Sequence, residues 1–391
     1  MKEVRYGIIG LGNQGSTYNW TIFDKGLAKD ARVTAMCDVD PRKIEIMKEK
    51  TTNKDAVYFT DYKKMLDSGL VDAILVQTPH YFHPEIAMEC FKRGIHVLCD
   101  KPAGVYAKQV KEMNEAARKS HVLFGMMFNQ RTNCLYRKMR EMIAEGAIGR
   151  LQRVNWIITD WFRAQSYYDG GQWRATWDGE GGGVLINQAP HQLDLVQWIV
   201  GMMPRRVNGF CRYGHWHDIE VEDEVTAYFE YENGATGVFI TTTGEAPGTN
   251  RLEISGTGGK LLCENKKLYY HKNEIDSREL LLSSPEAYKK PKTQFVEVET
   301  DGENPQHKGI LNNFTAAILG KAPLFVDGTE GIHMVELMNA IEYSGWNGGI
   351  SVTLPVDEDA YLEELNRHRA TSRIKEAVAA KVTNTDGSYG L

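Results

Sequence analysis

The sequence predicts an α/β fold: a doubly wound parallel sheet in the N-terminal third, followed by an α+β domain built on a mostly antiparallel open sheet. Three observations predict it. From Val4 to Met127 short apolar runs alternate strictly with helical segments, the grammar of a parallel sheet crossed by helices. Directly after the first run, Gly10, Gly12 and Gly15 stand at the spacing G-x-G-x-x-G. From about Asn129 the pattern changes to polar and apolar residues in alternation, punctuated by Asn233-Gly234 and by Gly256-Thr-Gly-Gly259, which read as hairpin turns.

At 391 residues the chain exceeds one ordinary core, since a domain takes about 100–200 residues. The expected divisions are a nucleotide-binding domain over 1–128, a second domain over 129–360, and a charged, polar C-terminal tail over 361–391 whose last residues are expected to be disordered. Hydrophobic residues make up 42% and charged residues 25%, the balance of a globular chain. The net charge of −6 and the lack of a basic run speak against nucleic acid as partner. No apolar run reaches the length of a membrane span and no secretion signal opens the chain. Cys37, Cys90, Cys99, Cys134, Cys211 and Cys263 never form C-x-x-C and read as reduced thiols of a cytoplasmic protein.

Val4 to Ile9 reads as a buried parallel strand. Glycine at position 10 permits a tight turn, at 12 it lets a diphosphate approach the backbone, and at 15 it lets helix and strand pack closely. Asn13 and Gln14 then open a helix whose unpaired amide groups suit a pyrophosphate; together these are the fingerprint of a Rossmann domain. The helix is expected to run to about Leu27, and the strand Val33 to Cys37 ends at Asp38, 23 residues after Gly15. An acid there holds adenosine ribose hydroxyls and repels a 2′-phosphate, so NAD is favoured over NADP. Arg42 would soften that preference, and Asp38 has an alternative reading as the cap of the helix after Pro41. Val57 to Phe59, a helix through Leu66, and Val71 to Gln77 follow. The last of these ends in Thr78-Pro79-His80, with His83 opening the next helix. Ligands of such sheets bind beyond the carboxyl ends of the strands, so this turn, Asp100-Lys101-Pro102 after the strand His96 to Cys99, and Asn129-Gln130-Arg131 after Val122 to Met127 all border one predicted cleft.

In the second half a helix over Cys134 to Glu145 leads to strands at Leu151 to Trp161, Val221 to Tyr231, Ala235 to Thr243, Arg251 to Ser255 and Lys260 to Glu264. Helices are expected over Gln188 to Val200, Ile310 to Leu319 and Gly328 to Asn347. An open sheet of this kind buries one face on its helices and offers the other to a partner subunit.

Three places suggest chemistry. Lys101, at a strand end in a desolvated cleft, would have its pKa lowered toward neutrality and so exchange protons; the plainer alternative is a surface lysine in a turn. Asn187, His191 and Asp194 follow three glycines at i, i+4 and i+7 and would share one face of a helix. His191 reads equally as a proton acceptor or as a buried structural histidine, and a metal site is the weaker alternative, because asparagine is a poor ligand and no second histidine stands at a suitable interval. Between Trp156 and Trp177, four of the eight tryptophans, with Phe162, Tyr167 and Tyr168, interleave with Arg163, Gln165, Asp169, Gln172 and Arg174. Flat rings over polar hydrogen-bonding groups suit a sugar. Glu220 to Glu224 reads as a solvated strand edge, and His215-Trp216-His217 as a loop at the pocket mouth or merely exposed.

G-L-G-N-Q-G, C-D-V-D-P, V-Q-T-P with His83, D-K-P, and G-G-G-V-L-I-N-Q-A-P-H-Q-L-D together resemble the Gfo/Idh/MocA oxidoreductases, the glucose-fructose oxidoreductase and inositol dehydrogenase family, over about Val4 to Pro355. The resemblance implies NAD(P)-dependent, reversible oxidation of a secondary alcohol of a sugar or cyclitol. It implies Lys101, with Asp100 in place of the family's glutamate, and His191 as the proton-transfer residues. Asn187 stands where the family often has aspartate, which leaves more of the work to Lys101 and His191. The expected cofactor residues are Gly10, Gly12, Asn13, Gln14, Gly15, Asp38, Gln77, Thr78, Pro79, His83, Asp100, Lys101, Asn129 and Gln130. The expected substrate residues are Lys101, Trp161, Arg163, Trp173, Arg174, Asn187 and His191, with Asp194 as contact or support; no metal is expected. The wording around His191 is similar to that of members acting at C3 of glucosides. Alternatives are a cyclitol dehydrogenase, an enzyme that keeps NAD bound through a redox-neutral cycle, and a nucleotide-sensing partner protein. A homodimer or homotetramer is expected.

Overall fold

The computed structural model describes residues 2–375; the residues expected to be disordered at the C-terminus lie outside them. β1 (Val4–Ile9) is buried along almost its whole length, as a strand with two apolar faces must be. It pairs in parallel with β2 (Ala31–Cys37) on one side and β4 (Ala73–Val76) on the other. With β3 (Val57–Phe59), β5 (His96–Cys99) and β6 (Phe124–Met126) the sheet order is β3-β2-β1-β4-β5-β6, parallel throughout. The order reverses between β1 and β4, the switch point at which such sheets bind ligands. The connecting helices are α1 (Asn13–Tyr18), α2 (Pro41–Lys50), α3 (Tyr62–Asp67), α4 (His83–Lys92) and α5 (Ala107–Lys119). The cap of α2 is Asp40, whose carboxylate accepts from the Arg42 amide at 3.0 Å, so the alternative reading of Asp38 as that cap is set aside.

The second sheet has nine strands. After α6 (Cys134–Ala144) come β7 (Leu151–Ile158), α7 (Gln165–Asp169), α8 (Val184–Asn187), α9 (Pro190–Val200), β8 (Arg206–Tyr213), β9 (Glu222–Glu230), β10 (Thr236–Thr242), β11 (Asn250–Gly256), β12 (Gly259–Glu264), β13 (Lys267–Asn273), α10 (Ser277–Ser283), β14 (Thr293–Glu297), α11 (Gln306–Ile318), α12 (Gly331–Trp346), β15 (Val352–Thr353) and α13 (Glu358–Ala370). The order is β14-β13-β12-β11-β7-β10-β9-β8-β15, antiparallel except where β7 meets β10. β9 shows why one face is covered and one open: Val225, Ala227 and Phe229 are buried while Thr226 between them is exposed. β8, β13, β14 and β15 were not among the expected strands. β8 carries Asn208-Gly209 in mid-strand, a turn signature by sequence. The glycine is there because the α12 backbone passes against it: a Cβ at 209 would lie 2.3 Å from the Ile341 carbonyl oxygen.

Two expectations are corrected. The helix expected over Gln188 to Val200 is α9, which starts only at Pro190, because proline lacks an amide hydrogen and fits only the first turn of a helix; Asn187, expected on the same helix as His191, closes the separate α8. The tail expected from 361 begins inside α13, which buries Tyr361 and Leu365. The chain beyond it is also engaged, the Arg373 amide donating to Glu220 at 2.7 Å and Lys375 Nζ to the carbonyls of Tyr168 and Arg174 at 3.0 and 2.8 Å.

Two helices from late in the chain pack beside the first sheet, and one of them, α12, also lies against β8 of the second. On α11, Thr315 shares a hydrogen bond with Tyr6 of β1 at 2.8 Å, and Phe314 lies against Gly125 of β6. On α12, the buried Asn339 amide accepts from the Ala107 amide and donates to the Val105 carbonyl, both at 2.9 Å.

Candidate active site

The three glycines of the first loop answer to different constraints. Gly10 has φ +95° and its Cβ would lie 2.5 Å from the Gln77 carbonyl oxygen; at Gly15 a Cβ would stand 1.9 Å from the Gly10 carbonyl oxygen. A Cβ on Gly12 would meet nothing within 4 Å. Protein therefore demands glycine at 10 and 15, while position 12 borders open space, as expected where a ligand's diphosphate reaches the backbone. Asn13 and Gln14 open α1 beside it. Asp38 is buried at the end of β2, accepts from the amides of Leu11 at 2.7 Å and Asp40 at 2.9 Å, and has Lys43 Nζ at 3.4 Å. Arg42 turns instead to Asp40, so it does not offset the charge of Asp38.

Across the switch point several buried polar atoms have no protein partner: both side-chain atoms of Gln77, Thr78 Oγ1, Asn129 Oδ1, Trp161 Nε1 and His191 Nδ1. Such atoms cost about 1–3 kcal/mol each when left unmade. They lie at the end of β4, where Gln77 packs against the glycine loop, after β6, after β7 and on α9, and those after β4 and β6 stand at the carboxyl ends of the strands, where such sheets bind ligands. A dinucleotide fits this donor set, with the diphosphate at Gly12, a ribose at Asp38 and the nicotinamide end beyond Gln77, Thr78 and Asn129.

Lys101 follows β5, joined to Pro102 by a cis peptide, and its Nζ donates to the Asn187 backbone carbonyl at 2.5 Å. Burial lowers its pKa, against the attraction of Asp100 and Glu180 and with help from the like charges of Arg174 and Arg163. Asp100 is buried below, accepts from the Lys101 amide at 2.8 Å, and is pushed up to about 6 by that burial. Most of the His191 ring is enclosed, which together with Lys101 and His307 holds its pKa well below that of an ordinary histidine. The site thus sets an amine with a lowered pKa near a neutral imidazole whose Nδ1 is unpartnered.

The aromatic segment divides. Trp156, Tyr168 and Trp177 belong to the core. Trp173 stands edge-on to His80 at 5.4 Å, Arg174 lies over Trp173 and over Tyr167, and Arg163 lies over Tyr167. Arg174 Nη1 donates to the Tyr167 hydroxyl at 2.7 Å, which donates to Asn187 Oδ1 at 3.1 Å. Gln130 reaches Gln306 rather than open space, its amide donating at 3.2 Å.

Three expectations are corrected here. His83 is buried, with ring nitrogens 2.7 Å from the carbonyls of Pro102 and Thr78; it fastens two strand-end turns together and has no ring nitrogen left for a cofactor. Asp194 does not share a face with Asn187, which lies in the preceding helix; its carboxylate is taken up by the buried Arg131, at 2.7 and 2.6 Å. Glu220 to Glu224 is no solvated edge, since Glu222 and Asp223 are fully buried. His215-Trp216-His217 is a loop with His215 and Trp216 exposed, in line with the reading from sequence; Asp223 accepts from all three backbone amides and His217 Nε2 meets the Arg163 carbonyl at 2.9 Å.

Sequence reasoning missed Glu180, Gln306 and His307. Glu180 is buried beside Asn187, and its signal was a charged residue directly before the glycine triplet. Gln306 has φ +51° and accepts from Asn129 Nδ2 at 2.5 Å. His307, pushed down to about 3 by burial and by Lys101, is the second residue of α11, which the sequence pattern started only at Ile310.

A glycine loop at the switch point of a parallel sheet, an acid after β2, and a lysine–histidine pair between two sheets define a nucleotide-dependent oxidoreductase. Family comparison agrees: the model for the oxidoreductase family's NAD-binding Rossmann fold matches residues 4–128, and that for the GFO/IDH/MocA C-terminal domain matches 136–262. The chain belongs to the Gfo/Idh/MocA oxidoreductase family. It is 27% identical over 270 residues to myo-inositol 2-dehydrogenase of Thermotoga maritima, covering 67% of this chain and 75% of that protein. To D-glucoside 3-dehydrogenase of Escherichia coli it is 25% identical, over 59% of this chain and 68% of the relative. The WlbA dehydrogenase of Chromobacterium violaceum, solved with NADH and UDP-GlcNAcA, superposes with a TM-score of 0.76 at 26% identity, over 91% of this chain and 97% of that one. The protein is an NAD-binding enzyme of the sugar and cyclitol dehydrogenases.

Proposed function

We propose that this enzyme oxidises a secondary hydroxyl of a pyranoside or free sugar, reversibly, to a keto-sugar, with C3 of a glucoside as the favoured position. The observation that carries this reading is the pairing of Lys101, its amine lowered in pKa and held on the Asn187 carbonyl, with His191, neutral and unpartnered at Nδ1. Bound NAD supplies the hydride acceptor. Lys101 and His191 take the hydroxyl proton as the carbonyl forms and return it in the reverse direction. Trp161, Trp173, Arg163, Arg174 and Asn187 orient the ring, the aromatic faces against its C–H surface and the polar groups on its hydroxyls. A glucoside 3-dehydrogenase and a myo-inositol 2-dehydrogenase both stand among the relatives, so the choice of a glucoside rests on the wording around His191 and the aromatic segment before it. Six free cysteines suit a reducing cytoplasm, and the open face of the nine-stranded sheet suits a homodimer or homotetramer.

The test is to denature the purified protein, identify any released nucleotide, and follow NADH formation against glucosides, free sugars and inositols. NADH formed with a glucoside supports the reading. Turnover of inositols alone replaces the substrate. Copurifying NAD with substrate conversion but no net NADH replaces it with a redox-neutral enzyme.

A further inference from the structure

Glu180 has no role in the reading above, yet its surroundings are specific. It is 2% exposed, and its two oxygens are each given to a donor: Oε2 accepts from the Ala175 amide at 2.5 Å and Oε1 from the Asn187 side-chain amide nitrogen. With Nδ2 drawn to Glu180, Asn187 Oδ1 must point the other way, where it accepts from the Tyr167 hydroxyl at 3.1 Å and from Gln188 Nε2 at 3.2 Å. The Tyr167 hydroxyl in turn accepts from Arg174, and the backbone carbonyl of Asn187 holds Lys101 Nζ. One carboxylate therefore fixes the polarity of a chain that ends on the residues proposed to handle the sugar.

We propose that Glu180 is the positioning residue of this site: as a carboxylate it orients the Asn187 amide, and through it Tyr167, Arg174 and the carbonyl that holds Lys101. The inference rests on the dehydrogenase reading. An amide at 187 needs an acceptor behind it, and the carboxylate that supplies one comes from position 180. A neutral glutamine at 180 offers one acceptor to two donors, so Asn187 must flip or lose its partner. A second carboxylate at 187 sets two anions against each other in a buried place. Exchanging the two groups restores the match, because an amide at position 180 can then donate to a carboxylate at position 187.

Burial raises the pKa of Glu180, opposed by Arg174, the Ala175 amide, Asn187 and Lys101. The other groups turned toward it are His80 after β4, which meets its backbone carbonyl at 3.1 Å, Glu222 of β9, Tyr168 of α7 and Lys375 beyond α13. Both carboxylate oxygens already face hydrogens, so protonating Glu180 breaks one of the two bonds, and kcat falls toward acid pH.

The experiment compares wild type, Glu180→Gln, Asn187→Asp and the double variant, reading kcat, its pH profile, and NAD binding by fluorescence. Each single change is expected to lower kcat by about 100-fold with NAD affinity unchanged, and the double variant to recover at least about tenfold over the worse single one. In Glu180→Gln the acid limb set by Glu180 disappears. A Glu180→Gln enzyme within about tenfold of wild type, or a double variant no better than the worse single one, overturns the proposal. Should Glu180→Gln not fold, Asn187→Asp alone reads the same contact, and wild-type kcat in it overturns the proposal. A wild type that oxidises no sugar overturns the dehydrogenase reading itself and is told apart by that control.

Discussion

Replacing Lys101 with methionine keeps the length and apolar volume of the side chain while removing its amine. The amine makes its hydrogen bond to Asn187 across the cleft and none to the glycine loop, so NAD binding should be unchanged. The orphaned Asn187 carbonyl costs about 1–3 kcal/mol, within the stability of an ordinary protein, and the variant should fold with a lowered melting temperature. Losing a positioned proton-transfer group costs about 10²–10⁴-fold in rate, or about 3–5 kcal/mol of barrier. The pH dependence adds a sign. Lys101 must be a neutral amine to accept a proton, and its pKa lies below the ordinary 10.5; sugar oxidation therefore rises with pH through the Lys101 pKa, while keto-sugar reduction falls through the same window. Lys101→Arg keeps the charge but not the titration, since a guanidinium stays protonated, and should be nearly as inactive in oxidation. Initial rates of NADH formation between pH 6 and 10, with calorimetric NAD binding as the control, measure all of this. A Lys101→Met enzyme with more than about a tenth of wild-type kcat, or with the same alkaline rise, refutes the assignment.

The glycine loop gives a paired expectation. Gly15→Ala drives a methyl into the Gly10 carbonyl and should lower the melting temperature and abolish NAD binding together, whereas Gly12→Ala, with open space around it, should melt like wild type and lose only NAD affinity. Glu222, buried against the amides of Gly183 and Leu185, is pushed up from 4.5 to about 7. The unfolded chain ionises it first, so stability is full below the lower value and falls by at most about 3 kcal/mol as pH rises through the window. Melting curves at pH 4.5 and 7.5 should show this decline and Glu222→Gln should flatten it; equal slopes would count against the buried carboxyl.

The first domain was legible almost residue by residue, because buried parallel strands are apolar runs and the turns after them carry the polar residues of the cleft. Lys101, directly after β5, stood out for that reason. What stayed hidden depends on packing between distant segments. Asp194 carries the spacing of a site residue, but spacing cannot reveal that Arg131, 63 residues earlier, would claim its carboxylate. Glu222 and Asp223 sit in an acidic run that reads as solvated, and only the amides folded onto them explain their burial. His307 stands in the first turn of a helix that opens at Gln306 without a side-chain cap, so nothing local announced it.

These hidden contacts decide whether the site must close before it can work. Lys101 hangs from the first sheet and His191 from α9 under the second, and a hinge between them would leave their distance to be set by the substrate. The bonds that cross this boundary are instead directional: Arg131 to Asp194, Asn339 to Val105 and Ala107, and Lys101 itself to Asn187. Breaking them would strand a charge and several polar groups away from water, at about 1–3 kcal/mol for each neutral group and more for the ion pair. Folding thus holds the elements that carry Lys101 and His191 against each other, and in the function proposed above the binding energy of the sugar is left for orienting its hydroxyl.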